Sequence, residues 1–297
     1  MRVAITGSHG LIGSALVRSL SGDGHQVVRL VREGADRAPG DGSEAVTWDP
    51  SGGGVRLEGV DAVVHLAGAG VGDHRWSASY KREIRESRVR GTRAIARACA
   101  DADEPPRVLV SASATGYYGD TGERIVDESA PPGDDFLASV CVDWEAAAGP
   151  AREAGIRVVH PRTGLVVAGE GGAFGRLLPL FRLGLGGRIG SGDQYWPFVS
   201  LTDHIAALRF ALDTDALSGP VNFTAPEPLR EREVTRVTAR LLHRPAVVPA
   251  PAFALRAALG EFATTVTCST RAVPAALTKA GFAFRHPTFE QALGSVL

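Results

Sequence analysis

The chain has 297 residues, of which 44% are hydrophobic and 22% charged, and its formal net charge is −1. This composition is typical of a globular protein with a real core, built as one large α/β domain or as a larger domain with a smaller lobe. Basic and acidic residues are interspersed without a basic face, so neither nucleic acid nor a membrane is expected as a partner.

The cysteines and the amino-terminal residues indicate which kind of protein this is and where it acts. The three cysteines, Cys99, Cys141 and Cys268, form no C-x-x-C pair and no cluster with histidine, so we expect neither a disulfide framework nor a metal site. The first residues enter a strand at once, and no run of about 18 apolar residues occurs. These features predict a soluble, cytoplasmic protein.

Short apolar strands alternate with helical patterns through the first half of the chain. The predicted strands are Arg2–Thr6, Gln26–Val31, Val46–Asp49, Asp61–Leu66, Arg107–Ser111 and Arg157–Pro161, and the predicted helices are Leu11–Ser21, Ser77–Asp101 and Asp143–Glu153. Continuous apolar strands alternating with helices predict an α/β fold with a Rossmann-type, doubly wound parallel sheet.

Beyond Gly164 the sequence becomes glycine-rich and less regular. The predicted elements there are a helix at Phe174–Leu183, a helix at Thr202–Leu212 capped by Thr202 or Asp203, a strand at Pro220–Thr224 and a helix near Arg230–Leu242. We therefore predict a Rossmann domain over residues 1–165, with a return segment at about 198–225. Residues 166–197 and 226–297 would form a smaller C-terminal lobe.

A glycine motif joins the first strand to the first helix. The segment Gly7–Gly13 (GSHGLIG) has the pattern G-x-x-G-x-x-G. In such a loop Gly7 permits the tight turn, Gly10 lets the backbone approach a pyrophosphate, and Gly13 lets the helix pack close to the strand. With Ser8, these glycines predict a dinucleotide site at a helix N-terminus, the alternative being a glycine-rich turn without a ligand.

The end of the second strand bears on the choice of cofactor. An acidic residue near this point binds the ribose 2′-hydroxyl in NAD-preferring Rossmann proteins. Here Arg32 occupies the expected position, and its guanidinium suits a 2′-phosphate. NADP(H) is therefore favoured over NAD(H). Two alternatives remain open, namely that Glu33 is the relevant residue or that Arg32 is an ordinary surface residue.

Further motifs extend along nearly the whole chain. They are HLAG (His65–Gly68), RWS (Arg75–Ser77), SRVRGTR (Ser87–Arg93), SASATGYYGD (Ser111–Asp120), DWEAAA (Asp143–Ala148), PRTG (Pro161–Gly164), SGPVNFTAPEP (Ser218–Pro228) and AGFAFRHP (Ala280–Pro287). This set resembles the extended short-chain dehydrogenase/reductase superfamily. Within it, the set resembles the atypical branch that is nucleoside-diphosphate-sugar-epimerase-like and has a characteristic C-terminal segment.

The resemblance implies cofactor contacts at specific positions. They are Leu11 and Ile12 at the pyrophosphate, Ala67 and Gly68 on the adenosine ribose side, and Ser111, Ala112, Pro161, Arg162 and Thr163 on the nicotinamide side.

The same resemblance exposes a departure at the catalytic centre. Typical members carry Tyr-x-x-x-Lys on a helix, in which the Tyr moves a proton and the Lys lowers its pKa and holds the nicotinamide ribose. Alignment places Leu137 at the Tyr position and Cys141 at the Lys position. Leucine has no proton to transfer, and a thiol is neutral near pH 7 unless its pKa is depressed.

Other groups are candidates for the missing chemistry. Ser113 matches the usual catalytic serine, and Tyr117 or Tyr118 is placed to donate a proton. Arg88 stands where the superfamily has an asparagine and would partly replace the lysine charge, and Cys141 would be a nucleophile or weak acid. Each also has a structural interpretation, such as strand packing for Ser113, core packing for the tyrosines and an inert packed thiol for Cys141.

Residues after position 180 are candidates for a substrate pocket. They are Arg182, Gln194 and Tyr195, with Trp196, Phe198 and Asp203 in the return segment, and the aromatic ones are equally expected in the core. Two functions follow from the sequence. One is an NADP-dependent oxidoreductase or nucleotide-sugar epimerase-like enzyme on a small polar substrate, and the other is a non-catalytic NADP(H)-binding sensor or scaffold.

Overall fold

The structure is a computed structural model that describes residues 1–32, 43–50 and 54–297. Its strands are β1 (Arg2–Thr6), β2 (Gln26–Val31), β3 (Glu44–Thr47), β4 (Ala62–His65), β5 (Val108–Ser111), β6 (Ser113–Ala114), β7 (Ile125–Val126), β8 (Arg157–Thr163), β9 (Leu165–Val167), β10 (Tyr195–Trp196), β11 (Phe198–Ser200), β12 (Gly219–Phe223), β13 (Leu229–Arg230) and β14 (Arg271–Ala272).

The helices are α1 (Leu11–Gly22), α2 (Ala78–Ala100), α3 (Phe136–Ala146), α4 (Gly149–Glu153), α5 (Gly172–Arg182), α6 (Leu201–Asp213), α7 (Glu231–Leu242), α8 (Ala252–Leu259), α9 (Ala263–Thr267), α10 (Ala275–Lys279) and α11 (Phe289–Gly294). Two 3-10 turns lie at Thr115–Tyr118 and Gly260–Phe262.

The central sheet is parallel and has the strand order β12-β8-β5-β4-β1-β2-β3, with β6 pairing to β8. From β3 the chain crosses back to β4 on the other side of β1, so the direction in which strands are added reverses at β1. Ligands of open α/β sheets bind outside the carboxyl ends of the strands at such a switch point. The predicted doubly wound Rossmann sheet is confirmed, and its glycine loop lies at that point.

Helices cover both faces of the sheet and bury its apolar strands. On one face Leu16 of α1 and Leu208 of α6 pack against β1 and β12. On the other face Ile95 of α2 and Ala151 of α4 pack against β4 and β5. Strands buried on both faces explain the continuous apolar runs in the sequence.

A separate apolar core lies in the part of the chain after β8. It joins Phe174 and Leu178 of α5, Trp196, Phe198, Val234 of α7, and Phe289 and Leu293 of α11. The C-terminal residues divide between the two cores, because Leu277 of α10 belongs to the cluster under α1 and α6. This segment therefore ties the lobe to the Rossmann sheet.

Three local predictions were wrong. The predicted helix Asp143–Glu153 is two helices, α3, which starts at Phe136 under the side-chain cap of Asp135, and α4, which has a proline in its first turn. The third strand is Glu44–Thr47 and not Val46–Asp49, because its pairing with β2 starts at Glu44 opposite Val28. Helix α6 is capped by Ser200 and not by Thr202 or Asp203, since the Ser200 hydroxyl accepts the Asp203 N–H.

Candidate functional site

The glycine loop between β1 and α1 has the backbone geometry that its sequence requires. Gly7 has a φ of +67°, and a Cβ there would lie 2.9 Å from the Leu66 carbonyl carbon. A Cβ on Gly13 would lie 2.1 Å from the Gly7 oxygen, so only glycine lets α1 pack this closely on the loop. Helix α1 starts at Leu11 after Gly10 with no side-chain cap. The amides of Leu11 and Ile12 are thus at an uncapped helix N-terminus, which suits a phosphate.

A buried histidine holds the neighbouring loop in place. The Thr6 hydroxyl accepts the N–H groups of Leu66 (3.1 Å) and Ala67 (3.2 Å), and it lies 2.8 Å from His65 Nδ1. Because Oγ1 already accepts twice, its proton points to His65. Complete burial lowers the pKa of His65 to about 3, so the imidazole is neutral. This polar anchor, which the sequence analysis missed although HLAG contains His65, positions Ala67 and Gly68 beside the glycine loop.

The end of β2 carries two arginines with different surroundings. Arg32 is exposed immediately after Val31. Arg29 is buried, and it donates from NH1 to the Ser8 carbonyl (3.2 Å) and from Nε to Ser43 Oγ (2.7 Å). Arg29 thus holds the glycine loop in place through the Ser8 carbonyl, a role that the sequence analysis missed. Glu33, the alternative to Arg32, lies outside the described residues.

Two buried hydroxyls at this edge have no hydrogen-bond partner within the described part of the chain. They are Ser8 Oγ in the glycine loop and Ser111 Oγ at the end of β5. Buried hydroxyls are normally satisfied, so each orphan calls for a ligand or a water. With the glycine cradle, these atoms fit a bound dinucleotide that runs from α1 towards β5.

A buried ion pair forms the centre of the other end of the site. Arg162 of β8 donates to Glu145 of α3 through Nε to Oε1 (2.8 Å) and through NH2 to Oε2 (2.9 Å). The Ser113 hydroxyl donates to the same Oε1 at 2.7 Å. The side chain of Arg162 therefore points to α3. Beside it on β8, Pro161 is buried and the Thr163 hydroxyl lies 3.0 Å from His204 Nε2.

The two tyrosines contact this arginine and each other, with their ring centroids 5.3 Å apart. Tyr118 is buried, accepts from Arg162 NH1 (3.0 Å) and donates to Asn222 Oδ1 (2.7 Å). Burial raises the pKa of Tyr118 to about 12. Tyr117 is partly exposed and stacks on the guanidinium, whose carbon is 3.4 Å from the ring centroid. Only Tyr117 is thus accessible without disruption of the network.

Helix α3 presents the residues at the Tyr and Lys positions to the same region. Leu137 packs beside Gly116. Cys141 is buried, and its Sγ lies 3.8 Å from the Ala114 carbonyl oxygen. Burial raises the pKa of Cys141 to about 12, and Glu145 adds to the rise. The thiol is therefore protonated near neutral pH, and this environment disfavours a nucleophilic Cys141.

A positive charge from α2 lies next to these residues. Arg88 donates from NH1 to the carbonyls of Ala69 (2.9 Å) and Ile84 (3.1 Å), and its guanidinium lies 4.9 Å from the Trp144 ring. Its charge opposes the rise in the pKa of Cys141, which places it beside the residue at the Lys position. A Cβ on Gly68 would lie 3.4 Å from the Arg88 side chain, so glycine leaves room for the arginine.

Glu145 and Asn222 were missed in the sequence analysis. The available clue for Glu145 was its spacing, because Leu137, Cys141 and Glu145 follow one another at four-residue intervals along one side of α3. No comparable pattern points to Asn222, which β12 brings to Tyr118 from far along the chain.

The residues predicted for a substrate pocket are dispersed. Trp196 and Phe198 belong to the lobe core, and Asp203 accepts the N–H groups of Arg285 (2.7 Å) and His286 (2.9 Å). Gln194 is buried and bonded to the Ile189 carbonyl, and Arg182 lies on the surface. Tyr195 is enclosed by the guanidinium groups of Arg230 and Arg271. None of these contacts brings the six residues together.

An aromatic contact joins the two parts of the molecule. Trp76 packs edge-on against Phe136 of α3, with ring centroids 5.1 Å apart, and against Phe262, with centroids 5.7 Å apart. Lys81 and Glu261 add an ion pair of 2.6 Å across the same boundary. The segment before α2 thus connects the Rossmann sheet to the lobe.

Two further properties of the described chain bear on its class. None of its helices is long and apolar enough to cross a bilayer. No group of three or more metal-ligating side chains occurs among the residues that the structure describes, and Cys99, Cys141 and Cys268 are free.

The parallel sheet, its glycine loop and the uncapped α1 define a Rossmann protein of the dinucleotide-binding type. The chain matches the model of the NAD dependent epimerase/dehydratase family over residues 3–223, and it belongs to this family. Residues 250–296 match a second model, a domain of unknown function named DUF1731. The resemblance to epimerase-like short-chain dehydrogenases with a distinctive C-terminal segment is confirmed.

Similar proteins match nearly the whole length of this chain. The epimerase family protein Mb2239 of Mycobacterium bovis is 47% identical over 98% of this chain and 96% of its own length. The crystal structure of human epimerase family protein SDR39U1 (isoform2) with NADPH has a TM-score of 0.92 and 32% identity, covering 100% of this chain and 99% of that one. The nucleoside-diphosphate sugar epimerase from Corynebacterium glutamicum has a TM-score of 0.81 and 35% identity, covering 100% of this chain and 59% of that one.

Proposed function

We propose that this protein is an NADP(H)-dependent oxidoreductase with an epimerase-like fold that acts on a small polar substrate. The observation that carries the proposal is the cradle of Gly7 and Gly13 in front of the uncapped α1, where a Cβ would fill the space and Ser8 Oγ is unsatisfied. When bound there, NADP(H) supplies or accepts a hydride.

The preference for NADP(H) rests on Arg32. Arg32 is exposed directly after β2, at the position that lies near the adenosine ribose in Rossmann proteins and suits a 2′-phosphate. The other arginine of this region, Arg29, is already bonded to the Ser8 carbonyl. The human relative crystallised with NADPH shares the fold over the whole chain, which supports the same choice here.

For the chemical step, we assign separate roles to the groups that replace the Tyr/Lys pair. Ser113 and the partly exposed Tyr117 are the candidates for contact with the substrate oxygen, and Tyr117 is the proton donor or acceptor because Tyr118 is sealed by Arg162 and Asn222. Arg88 supplies the positive charge near the nicotinamide ribose. Cys141 contributes packing and at most a hydrogen bond.

Cofactor binding and turnover are tested separately. Titration of the quenching of intrinsic fluorescence with NADPH and NADH should give tighter binding of NADPH, and Arg32→Glu should abolish that preference while NADH binding persists. An unchanged NADPH affinity in the variant would remove Arg32 from the site. Turnover is tested by NADPH absorbance with panels of small carbonyl compounds, in which Tyr117→Phe should lower kcat and leave NADPH binding intact.

A second function, a non-catalytic NADP(H) sensor or scaffold, is favoured by a specific observation. Leu137 and Cys141 occupy the positions of the catalytic pair, and the Ser113 proton is already given to Glu145. This function predicts that NADPH changes the sedimentation coefficient or the binding of a partner, without oxidation of the cofactor. Tight NADPH binding with no turnover across a broad panel would favour it, and turnover that Tyr117→Phe lowers would exclude it.

A further inference from the structure

The smaller lobe exposes a group of large apolar side chains. Leu183, Val247 and Phe253 are 72%, 74% and 76% exposed, the highest values among the large apolar residues that the structure describes. Leu180, Leu185 and Val248 are also exposed. Isolated exposed leucines are ordinary, but a group of this kind marks a contact surface.

Backbone and side-chain hydrogen bonds join the two segments that carry these residues. The Val248 N–H donates to the Gly186 carbonyl at 3.2 Å, and Arg244 Nε donates to the Arg182 carbonyl at 3.1 Å. The turn after α5 therefore lies against the residues that lead to α8, and Phe253 and Arg256 follow these along the chain, one helical turn apart on α8. We call residues 180–188 and 244–256 the basic apolar face.

The charge of this face is one-sided. No aspartate or glutamate occurs in residues 171–192 or in residues 234–260. The flanking carboxylates are engaged elsewhere, Asp193 with Arg232 and Glu261 with Lys81. Within the described residues, three exposed arginines of this face take part in no ion pair, namely Arg182, Arg244 and Arg256, and a fourth, Arg188, lies near the buried Glu231.

We propose that the basic apolar face docks on an anionic lipid surface, with Leu183, Val247 and Phe253 at the depth of the headgroups and the arginines on lipid phosphates. Apolar side chains among unpaired cations are the pattern that binds such interfaces. A symmetric contact with a second copy would bring the arginines together, which is unfavourable. An acidic protein would need a shape that fits three protruding side chains, whereas a fluid lipid layer needs none.

This proposal is independent of the redox chemistry, and it is an exception to the expectation of no membrane partner. That expectation rested on the net charge of −1, in which the charge of one face is cancelled by acidic residues elsewhere. The contact is peripheral, since it needs no spanning helix.

The test is co-sedimentation of the full chain with sucrose-loaded vesicles of phosphatidylcholine, alone or mixed with phosphatidylglycerol, at low and high salt. Binding is expected only with phosphatidylglycerol and should weaken as salt rises. Arg182→Ala/Arg244→Ala should lower the partition coefficient by about tenfold or more, since one basic residue near an anionic surface is worth about fivefold in binding. Leu183→Ser/Phe253→Ser should also lower it by about tenfold or more, since it removes the apolar groups that are buried in the interface. The matched control Ile125→Ser/Arg93→Ala, which removes an exposed apolar residue and an exposed arginine from other surfaces, should bind as the parent does.

Several results would overturn the proposal. The first is that the parent chain does not pellet with phosphatidylglycerol vesicles at low salt. The second is that the control variant loses as much vesicle binding as the face variants do. The third is that the face variants keep native circular dichroism and still bind the vesicles. Gel filtration tests whether a second copy of the chain occupies this face, and binding to polyglutamate tests whether an acidic protein does. A concentration-dependent dimer, or polyglutamate binding, that the face variants lose without any vesicle binding would replace the lipid with a second copy or an acidic protein.

Discussion

Glu145 and Arg162 form a two-point ion pair, with N–O distances of 2.8 and 2.9 Å, between a helix and a strand that the sequence separates by 17 residues. The pair lies where α3 crosses the carboxyl end of β8, and both side chains are largely shielded from water. It joins the helix that carries the altered Tyr/Lys positions to the sheet. Its integrity decides how Ser113 and Tyr118 are oriented.

Removal of one partner should cost much more than the loss of a surface pair. Glu145→Ala leaves a buried guanidinium without its counter-charge, which should lower the free energy of unfolding by about 3 kcal/mol. The control is Glu86→Ala, which removes the exposed pair with Arg90 and should change stability by about 0.5 kcal/mol or less. Urea unfolding followed by circular dichroism measures both variants. Equal losses of unfolding free energy would show that the buried pair stabilises the fold no more than the exposed pair does.

Two glycines of the same helix provide a matched test of the cofactor cradle. Gly13→Ala places a Cβ 2.1 Å from the Gly7 oxygen, so α1 must move and NADPH binding should weaken by about tenfold or more. Gly22→Ala adds a Cβ with nothing within 4 Å, so it should keep the affinity and raise stability by at most about 1 kcal/mol. Fluorescence titration with NADPH compares them, and an unaffected Gly13→Ala would contradict the assignment of the loop.

The adjacent tyrosines should respond differently to loss of the hydroxyl. Tyr118→Phe leaves Asn222 Oδ1 and an Arg162 N–H without their buried partner and should cost about 1–2 kcal/mol. Tyr117→Phe keeps the ring on the guanidinium and should leave stability within about 0.5 kcal/mol. Thermal unfolding separates the two, and a larger loss for Tyr117→Phe would reverse the roles given to them.

Buried histidines should make the fold sensitive to mild acid. Burial lowers the pKa of His204 from 6.5 to about 3, so between these values the unfolded chain binds a proton that the folded chain excludes. Its contribution is complete above pH 6.5 and falls as pH drops towards 3, at a slope of up to about 1.4 kcal/mol per pH unit. His204→Gln should flatten the curve of unfolding free energy against pH between 6 and 4, as measured by urea titration at each pH, whereas parallel curves would rule out this histidine.

The sequence was informative wherever structure depends on neighbours along the chain. The turn at Gly7 and the start of α1 at Leu11 follow from a local pattern, and the alternation of strands and helices gave the sheet. Contacts between distant residues were not accessible in this way. Glu145 meets Ser113 across 32 positions, and Asn222 meets Tyr118 across 104, so no local periodicity encodes them.

Errors in the sequence analysis arose where two local interpretations compete. Thr202 and Asp203 are residue types that often cap helices, yet α6 begins at Leu201, so Ser200 is at the capping position and the Asp203 carboxylate instead accepts the N–H groups of Arg285 and His286. The candidate pocket residues were assigned from their resemblance to a segment of other proteins. In this chain Trp196 is in the core and Arg182 is on the surface, so tertiary packing decided their positions.

The division of the C-terminal residues between two cores has a consequence for how the protein is made. Leu277 completes the cluster under α1 and α6, and Phe289 completes the cluster of the lobe. Neither cluster is whole until residues 275–293 have been synthesised and have left the ribosome. The core that supports the glycine loop therefore stays incomplete until synthesis has passed Leu277, and until then the nascent chain exposes part of that apolar cluster.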